Sequence, residues 1–159
     1  MVLILSYHQY QSLQKHGEKT YPEECCGLLL GTQTSVSDAE TIEAQKVVQA
    51  VYPTLNVWDS ATTVSPESPA TSVRNRYQIA PEALFQAQRY ARTNGWDIIG
   101  IYHSHPDQPA VPSEWDRAWA WPQYSYAIVA VENGTACDLQ SWTLDTRHEF
   151  LPERLMVSG

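Results

Sequence analysis

The stretch His103-Ser104-His105-Pro106, followed by Ser113 and Asp116, decides how this sequence is interpreted. Histidines two positions apart on an extended backbone project to the same side, so both imidazoles can reach one ion. Pro106 directs the chain into a loop, and a helix beginning near Ser113 can return Asp116 to the same place. Three N/O ligands with an open fourth position are typical of a catalytic zinc site, because structural sites are normally closed by four residues. Neutral imidazoles and one carboxylate suit zinc best.

Each half of this pattern also has an ordinary explanation. A His-x-His sequence is common and by itself usually has no role in metal binding. Ser113 and Asp116 also resemble a capping box, in which the serine caps a helix and the acidic residue at the third helical position completes the box. Capping is the better interpretation of that pair when it is taken alone. The two interpretations are compatible, because Ser113 can cap the helix while Asp116 binds a metal.

A hydrolytic metal site also needs a group that moves protons, since zinc lowers the pKa of water only to about 7. Glu23 and Glu24 are candidates, because they precede the apolar run from Cys26 to Gly31. Acidic residues at such a position are often merely solvated. Physical reasoning alone does not choose between the two glutamates.

Together these residues resemble the JAMM motif of the MPN+ (Mov34/PAD-1) metallopeptidases. In that family a glutamate three residues before a glycine is followed by His-x-His-Pro and then by Ser-x-x-Asp. Glu24 and Gly27 have this spacing, so the resemblance selects Glu24 over Glu23. The segment from Tyr21 to Gly31 resembles the small stand-alone bacterial members in particular, and the resemblance extends from Leu3 to about Leu144.

The resemblance implies a role for each residue of the motif. His103, His105 and Asp116 would ligate Zn²⁺, and Glu24 would deprotonate the attacking water and return the proton to the leaving amine. Ser113 would donate a hydrogen bond to the developing oxyanion. Family members hydrolyse peptide or isopeptide bonds after the C-terminal Gly-Gly of ubiquitin-like proteins. Small bacterial relatives remove a cysteine or a short extension from a sulfur carrier, so we expect a ubiquitin-like sulfur-carrier protein or its C-terminal peptide conjugate as the partner.

Two other functions compete with a peptidase. Many MPN domains have lost the motif and only mediate assembly, but the complete motif argues against such a non-catalytic scaffold. A DNA-repair-associated relative with a similar His-x-His-Pro pattern is disfavoured by the net charge of −8, which also argues against any nucleic-acid partner. A nucleobase deaminase is excluded, because its Cys-x-x-Cys ligands are missing.

Length and composition predict one globular domain over residues 1–159, and the resemblance implies that it is an MPN domain. The chain has 159 residues, of which 43% are hydrophobic and 18% charged, and this suits a folded core. No apolar stretch approaches the roughly 18 residues needed to span a bilayer, and the N-terminus lacks the basic lead of a signal peptide. The three cysteines, two of them adjacent, do not suggest a disulfide framework. We therefore expect a cytoplasmic protein with no membrane partner.

Hydrophobic patterning predicts an α/β (α+β) architecture, and the resemblance implies the cytidine-deaminase-like MPN fold, with a central mixed sheet flanked by helices. Helices are expected at residues 7–19, from Pro81 to about Thr93, and from Ser113 to before Pro122. Strands are expected at the N-terminus, at residues 26–31, 44–52, 77–79 and 97–103, and near residues 126–131 and 137–144, the last two completing the sheet.

An insert rich in Pro, Ser and Thr, at about residues 53–74, is absent from compact family members and is predicted to be a long surface loop. It would either cover the channel to the metal as a lid, with Trp58 as an aromatic contact, or be decorative. Trp115 and Trp119 are four residues apart on one helix face, which predicts packing in the core. No basic residue flanks Cys25 and Cys26, so buried structural thiols are expected there.

Overall fold

The strands of this chain form one mixed sheet that closes on itself. The computed structural model describes residues 1–37, 42–58 and 76–159. Its strands are β1 (Val2–Ser6), β2 (Cys26–Ser37), β3 (Ile42–Thr54), β4 (Asp97–Pro106), β5 (Ser125–Glu132), β6 (Thr135–Leu144) and β7 (Phe150–Ser158). Its helices are α1 (Tyr7–Thr20), α2 (Pro81–Thr93) and α3 (Glu114–Trp119).

The order of strands around the sheet is β1-β3-β2-β4-β5-β6-β7, and β7 pairs again with β1. The pairs β1–β3, β1–β7 and β4–β5 are parallel, whereas the other neighbours are antiparallel. The predicted mixed sheet with flanking helices is therefore confirmed. The prediction that β5 and β6 complete the sheet is wrong, because β7 follows them and closes the barrel.

The apolar run at the start of β2 is buried on both faces, as is typical of an internal strand. Leu29 belongs to a core cluster with Leu13 of α1, whereas Leu28 and Leu30 pack against Ala87 and Ala91 of α2. Alternate residues of β2 thus pack against a helix on each side of the sheet. This packing holds β2, and with it the start of the strand at Cys26, in a fixed position beside β4.

The helix boundaries follow local sequence signals. Ser6 caps α1 in a capping box with Gln9. Pro81 occupies the first turn of α2, and Asn94-Gly95 ends that helix, with Gly95 at a φ of +72° that glycine adopts without strain. These boundaries agree with the sequence predictions.

Two predictions about the middle of the chain have different outcomes. Residues 77–79 were expected to form a strand, but they run in an irregular segment, held by a 3.0 Å hydrogen bond from the Val57 amide to the Gln78 carbonyl. Most of the predicted insert lies outside the described residues, since only 53–58 of it are described, and its loop character stays a prediction. No helix in the described part of the chain is long and apolar enough to cross a membrane.

Candidate metal centre

His103 and His105 lie at the carboxyl end of β4, with their imidazoles on the same side of the strand. Their Nε2 atoms are 3.0 Å apart, and both rings are buried. Helix α3 returns Asp116 to the same point, as the sequence predicts. The Asp116 Oδ2 atom lies 3.2 Å from Nε2 of His105 and 3.3 Å from Nε2 of His103. The structure therefore brings the three predicted metal ligands together.

The spacing of these donor atoms fits a metal ion. Tetrahedral zinc with Zn–N and Zn–O bonds near 2.1 Å separates its ligand atoms by roughly 3.4 Å. The observed separations of 3.0, 3.2 and 3.3 Å are within a few tenths of that value. Nδ1 of His105 lies 2.8 Å from the carbonyl oxygen of Pro109, which can only accept a hydrogen bond. In a neutral imidazole the proton is then on Nδ1, and Nε2 keeps its lone pair for a cation.

The protonation states also suit metal binding. Burial lowers the pKa of His103, and the neighbouring Asp116 only partly offsets this, so the ring is neutral at physiological pH. Burial alone would raise the pKa of Asp116, but His103 and His105 outweigh it and hold that pKa below its ordinary value. A neutral imidazole beside an ionised carboxylate is the combination that binds a divalent cation without first losing protons.

Glu24 lies in the segment between α1 and β2 and faces the same centre. It is 3% exposed, and its carboxylate and the two imidazoles offer ligand atoms within 4.8 Å of one another. Burial, reinforced by Asp116 and partly offset by Arg76, raises the pKa of Glu24 to about 9. Asp116 contacts both imidazoles directly, at 3.2 and 3.3 Å. Its neighbour Glu23 is exposed.

Ser113 caps α3 and holds Asp116 at the same time. Its amide donates to Oδ2 of Asp116 at 2.8 Å, and its Oγ accepts the Asp116 amide at 3.1 Å. The predicted cap is thus present, and it leaves Asp116 beside the two imidazoles, so the cap is compatible with a ligand role. Because Oγ accepts this bond, the hydroxyl proton is left to donate elsewhere. Ser113 lines a cleft of about 480 Å³, here called the polar cleft after its charged and polar side chains, although prolines and a valine also line it. Its described lining is Glu24, Arg76, His105, Pro106, Gln108, Pro109, Val111 and Ser113.

Sequence reasoning missed the residues that hold this centre together. The Oγ of Ser104, between the two histidines, accepts the Cys25 amide at 2.8 Å and so ties the neighbour of Glu24 to β4. The Nδ2 of Asn56 donates to the carbonyl oxygens of Glu24 and Arg76, at 3.1 and 2.9 Å. The alternation of His-x-His indicates that Ser104 faces the other side, but no sequence signal marked Asn56.

Tyr77 was also missed, because it was assigned to a strand. Its ring stacks on His103 with a centroid distance of 4.4 Å and an interplanar angle of 22°. Nδ1 of His103 is buried and has no hydrogen-bond partner in the described part of the chain. Most metal-bound histidines are oriented by such a hydrogen bond. The orientation of this ring depends instead on packing, and Tyr77 provides the stacked face.

The prediction that Trp115 and Trp119 pack in the core is wrong. Trp119 is 67% exposed, and Trp115 forms ring contacts with Trp58 at 4.9 Å and with Trp119 at 5.5 Å. Both line an open depression of about 560 Å³, here called the aromatic groove. Its described lining is Trp58, Tyr77, Gln78, Ile79, Leu84, Ile101, Trp115, Asp116, Trp119, Trp121 and Tyr126.

The adjacent cysteines behave as predicted. Cys25 and Cys26 are buried free thiols, and burial raises their pKa values to about 11 and about 12. At neutral pH both are protonated and unreactive, so neither serves as a nucleophile.

Comparison with known proteins places this chain in a family. The sequence profile described as "Prokaryotic homologs of the JAB domain" matches residues 7–145. The chain is 33% identical over 130 residues to the desampylase of Haloferax volcanii, covering 81% of this chain and 76% of that protein. The solution structure of a Desulfitobacterium hafniense protein has a TM-score of 0.73 and 25% identity, covering 98% of this chain and 92% of its own.

A more distant structure shares the fold. It is described as a metalloprotease-like zinc site of the JAMM type in the proteasome and signalosome, with a TM-score of 0.50, 14% identity and coverage of 100% of both chains. The profile match spans most of this chain. The chain therefore belongs to the prokaryotic JAB-domain family, within the JAMM/MPN proteins.

Proposed function

We propose that this chain is a JAMM-type zinc metallopeptidase that hydrolyses an amide bond after the C-terminal Gly-Gly of a ubiquitin-like protein. We favour a sulfur carrier, or its C-terminal conjugate, as that protein. One observation carries the proposal: donor atoms of His103, His105 and Asp116 meet within 3.3 Å of one another, with the buried carboxyl group of Glu24 beside them.

The relatives support the two halves of this proposal separately. The likeness to a desampylase supports an isopeptidase that acts on a ubiquitin-like modifier. The fold shared with a structure described as a metalloprotease-like zinc site supports zinc as the ion. Among the common divalent ions, zinc is the one that two imidazoles and one carboxylate suit best.

The reaction needs a group that carries one proton from the attacking water to the leaving amine. A divalent cation held by the three ligands would supply Lewis-acid polarisation of the scissile carbonyl and of the water. Glu24 is positioned to accept the proton at its carboxylate and to release it to the nitrogen. In the metal-free protein the pKa of Glu24 is raised to about 9, so this carboxyl group is protonated at neutral pH. That pKa would be lower beside a divalent cation, and the carboxylate that accepts the proton would then be favoured.

Ser113 is positioned to stabilise the oxyanion that forms during attack. It lines the polar cleft together with Glu24 and His105, and its hydroxyl proton is not used by the helix cap. A preorganised donor of this kind contributes about 3 to 4 kcal/mol in related acyl transfers. The hydrogen bond from its amide to Asp116 couples the same residue to the metal ligand.

A non-catalytic scaffold would not need this arrangement. An assembly module gains nothing from a buried carboxyl group whose pKa is raised to about 9, because such a group costs stability as the pH rises from about 4.5 to 9. A scaffold is also expected to bind no zinc. The buried free thiols support a reducing compartment, and we propose the cytoplasm.

The test is cleavage of carrier fusions followed by mass spectrometry. A ubiquitin-like carrier ending in Gly-Gly, extended by one cysteine or by a short peptide, is incubated with the zinc-loaded protein, with and without a chelator. We expect the extension to be released after Gly-Gly, and we expect no release when the chelator is present. Glu24→Gln should reduce the rate at least 100-fold with zinc retained, whereas the exposed neighbour variant Glu23→Gln should retain full activity.

Loss of a ligand separates metal binding from folding. His105→Ala should lose both zinc and activity while its circular dichroism spectrum remains that of the wild type. Full activity of Glu24→Gln, or stoichiometric zinc in His105→Ala, would show that the roles proposed for these residues are wrong. A wild-type protein that binds no zinc would favour the scaffold.

A further inference from the structure

Two depressions meet at the candidate metal centre and differ in chemistry. The polar cleft contains Glu24, His105 and Ser113, together with Arg76. The aromatic groove begins at Asp116 and is otherwise lined by aromatic and aliphatic side chains with one amide, Gln78. The described linings of the two depressions share no residue. A substrate chain that passes over the centre would therefore have one flank in each depression.

The position of Glu24 indicates which flank of the substrate lies in the polar cleft and which lies in the aromatic groove. The residue that returns the proton must come within about 3 Å of the leaving nitrogen, or reach it through one water. Glu24 lines the polar cleft, so the leaving amine and the group attached to it occupy that cleft. The acyl side of the scissile bond, which carries the body of the carrier, then leaves the centre through the aromatic groove.

The geometry of an extended chain identifies which substrate residue meets the tryptophans. Two glycines before the scissile bond have no side chains to fill a groove. An extended chain advances about 3.3 Å per residue, so the third residue before the bond lies about 7 to 10 Å from the reacting carbon. Helix α3 covers a similar length, since Trp119 is one turn, about 6 Å, beyond the start of the groove at Trp115 and Asp116.

We propose that the aromatic groove binds an aliphatic or aromatic side chain at the third residue before the scissile bond. This inference rests on the proposed function and deepens it, because it states which carriers the enzyme selects. Burial of an apolar side chain against Trp115 and Trp119 stabilises the complex, whereas a charged side chain would lose its hydration there. The Arg76 guanidinium, whose Cζ lies 5.0 Å from the centroid of the Trp115 ring, disfavours a basic side chain further.

The first experiment compares two peptides that differ at one residue. Acetyl-Leu-Gly-Gly-Cys and acetyl-Lys-Gly-Gly-Cys are hydrolysed by the zinc-loaded wild-type protein, and kcat/KM is measured by mass spectrometry of the products. We expect the leucine peptide to be preferred about 10- to 100-fold. Trp119→Ala should reduce this ratio to within about threefold of unity. The matched control is Phe85→Ala, an aromatic that is 60% exposed on α2 and does not line the groove, and it should retain the wild-type ratio.

The second experiment measures binding without catalysis, so that it remains decisive if neither peptide is hydrolysed. Acetyl-Leu-Gly-Gly and acetyl-Lys-Gly-Gly are titrated into Glu24→Gln, and the tryptophan fluorescence is recorded. We expect tighter binding of the leucine peptide, and loss of that difference in the Glu24→Gln, Trp119→Ala double variant. Absence of hydrolysis together with selective binding would overturn the proposed function and support the groove. Equal affinity for the two peptides, or a preference that survives Trp119→Ala, would overturn the proposal that the aromatic groove binds the third residue before the scissile bond.

Discussion

At the scale of single residues, Glu24 links chemistry to stability. Its carboxyl group has an ordinary pKa of 4.5, which burial, followed by the charge of Asp116, raises to about 9 in the folded metal-free protein. Between these values the folded state holds a proton that the unfolded state has released. The stabilisation is therefore complete below about pH 4.5, and it falls as the pH rises towards 9.

This argument predicts the behaviour of the metal-free protein in mild alkali. From pH 7.0 to 8.5, the free energy of unfolding of the wild type should fall by about 2 kcal/mol relative to Glu24→Gln, because one retained proton contributes about 1.4 kcal/mol per pH unit. Urea unfolding of both proteins in the presence of a chelator measures the difference. Parallel curves for the two proteins would show that Glu24 ionises normally when folded.

The residues of the motif could be predicted from the sequence, whereas the residues around them could not. His103, His105 and Asp116 have spacings that are informative because β-strands and helix starts have fixed geometry, and the structure brings the three together. Asn56 acts through four hydrogen bonds to backbone groups, three of which lie in other segments of the chain. Backbone groups are the same for every residue type, so such contacts leave no pattern in the sequence.

At the scale of elements, the irregular segment of residues 76–80 carries Tyr77 onto His103, and Asn56 holds this segment in place. The Oδ1 of Asn56 accepts the amides of Trp58 and Gln78 at 3.1 Å each, and its Nδ2 donates to Glu24 and Arg76. One side chain thus joins the segment before β2, the end of the described chain after β3 and the segment before α2. We infer that Asn56 and Tyr77 orient His103 as a unit.

The expected consequence is a loss of zinc affinity that is shared between the two residues. Tyr77→Leu removes the stacked ring and should weaken zinc binding about 10- to 100-fold, whereas Tyr77→Phe, which keeps the ring, should bind as the wild type does. Asn56→Ala should weaken zinc binding to a similar extent. The double variant should bind zinc about as tightly as the weaker-binding of the two single variants. Competition with a chromogenic chelator measures these affinities without any substrate.

The control for this series is Tyr7→Leu, which removes a tyrosine that is 56% exposed on α1. Its zinc affinity should equal that of the wild type. Independent effects of Asn56→Ala and Tyr77→Leu, so that the two losses multiply, would contradict the view that they act through one segment. A loss in Tyr77→Phe equal to that in Tyr77→Leu would show that the hydroxyl, rather than the ring face, orients His103.

Element types were predictable where one periodicity dominated and were missed where two signals conflicted. The apolar run of β2, the proline in the first turn of α2 and the capped start of α3 are strong local signals, and the sequence predicts all three elements. Strand β7 contains Pro152 and the charged pair Glu153 and Arg154, which are uncommon in an internal strand. The strand forms because β1 and β6 pair with its two edges, and those contacts are distant in sequence.

At the scale of the whole molecule, closure of the sheet buries a polar cluster that the sequence did not reveal. Nζ of Lys46 on β3 donates to Oγ of Ser125 on β5 at 3.0 Å, although β2 and β4 separate these strands in the sheet order. The contact therefore crosses the interior of the barrel. On β7, Oε1 of Glu153 accepts a 2.8 Å hydrogen bond from Ser141. Burial lowers the pKa of Lys46, and the charge of Glu153 partly offsets this.

The contributions of Lys46 and Glu153 to the free energy of unfolding should therefore depend on each other. Removal of one leaves the other without compensation, so Lys46→Met and Glu153→Gln should each lower the free energy of unfolding by about 3 kcal/mol or more. The double variant should lose clearly less than the sum of the two losses, because no uncompensated charge remains and Met retains most of the volume of Lys. Urea unfolding of the four proteins at pH 7 gives the coupling energy. Additive losses would mean that each charge is stabilised by its own hydrogen bonds, and that closure of the barrel does not depend on their attraction.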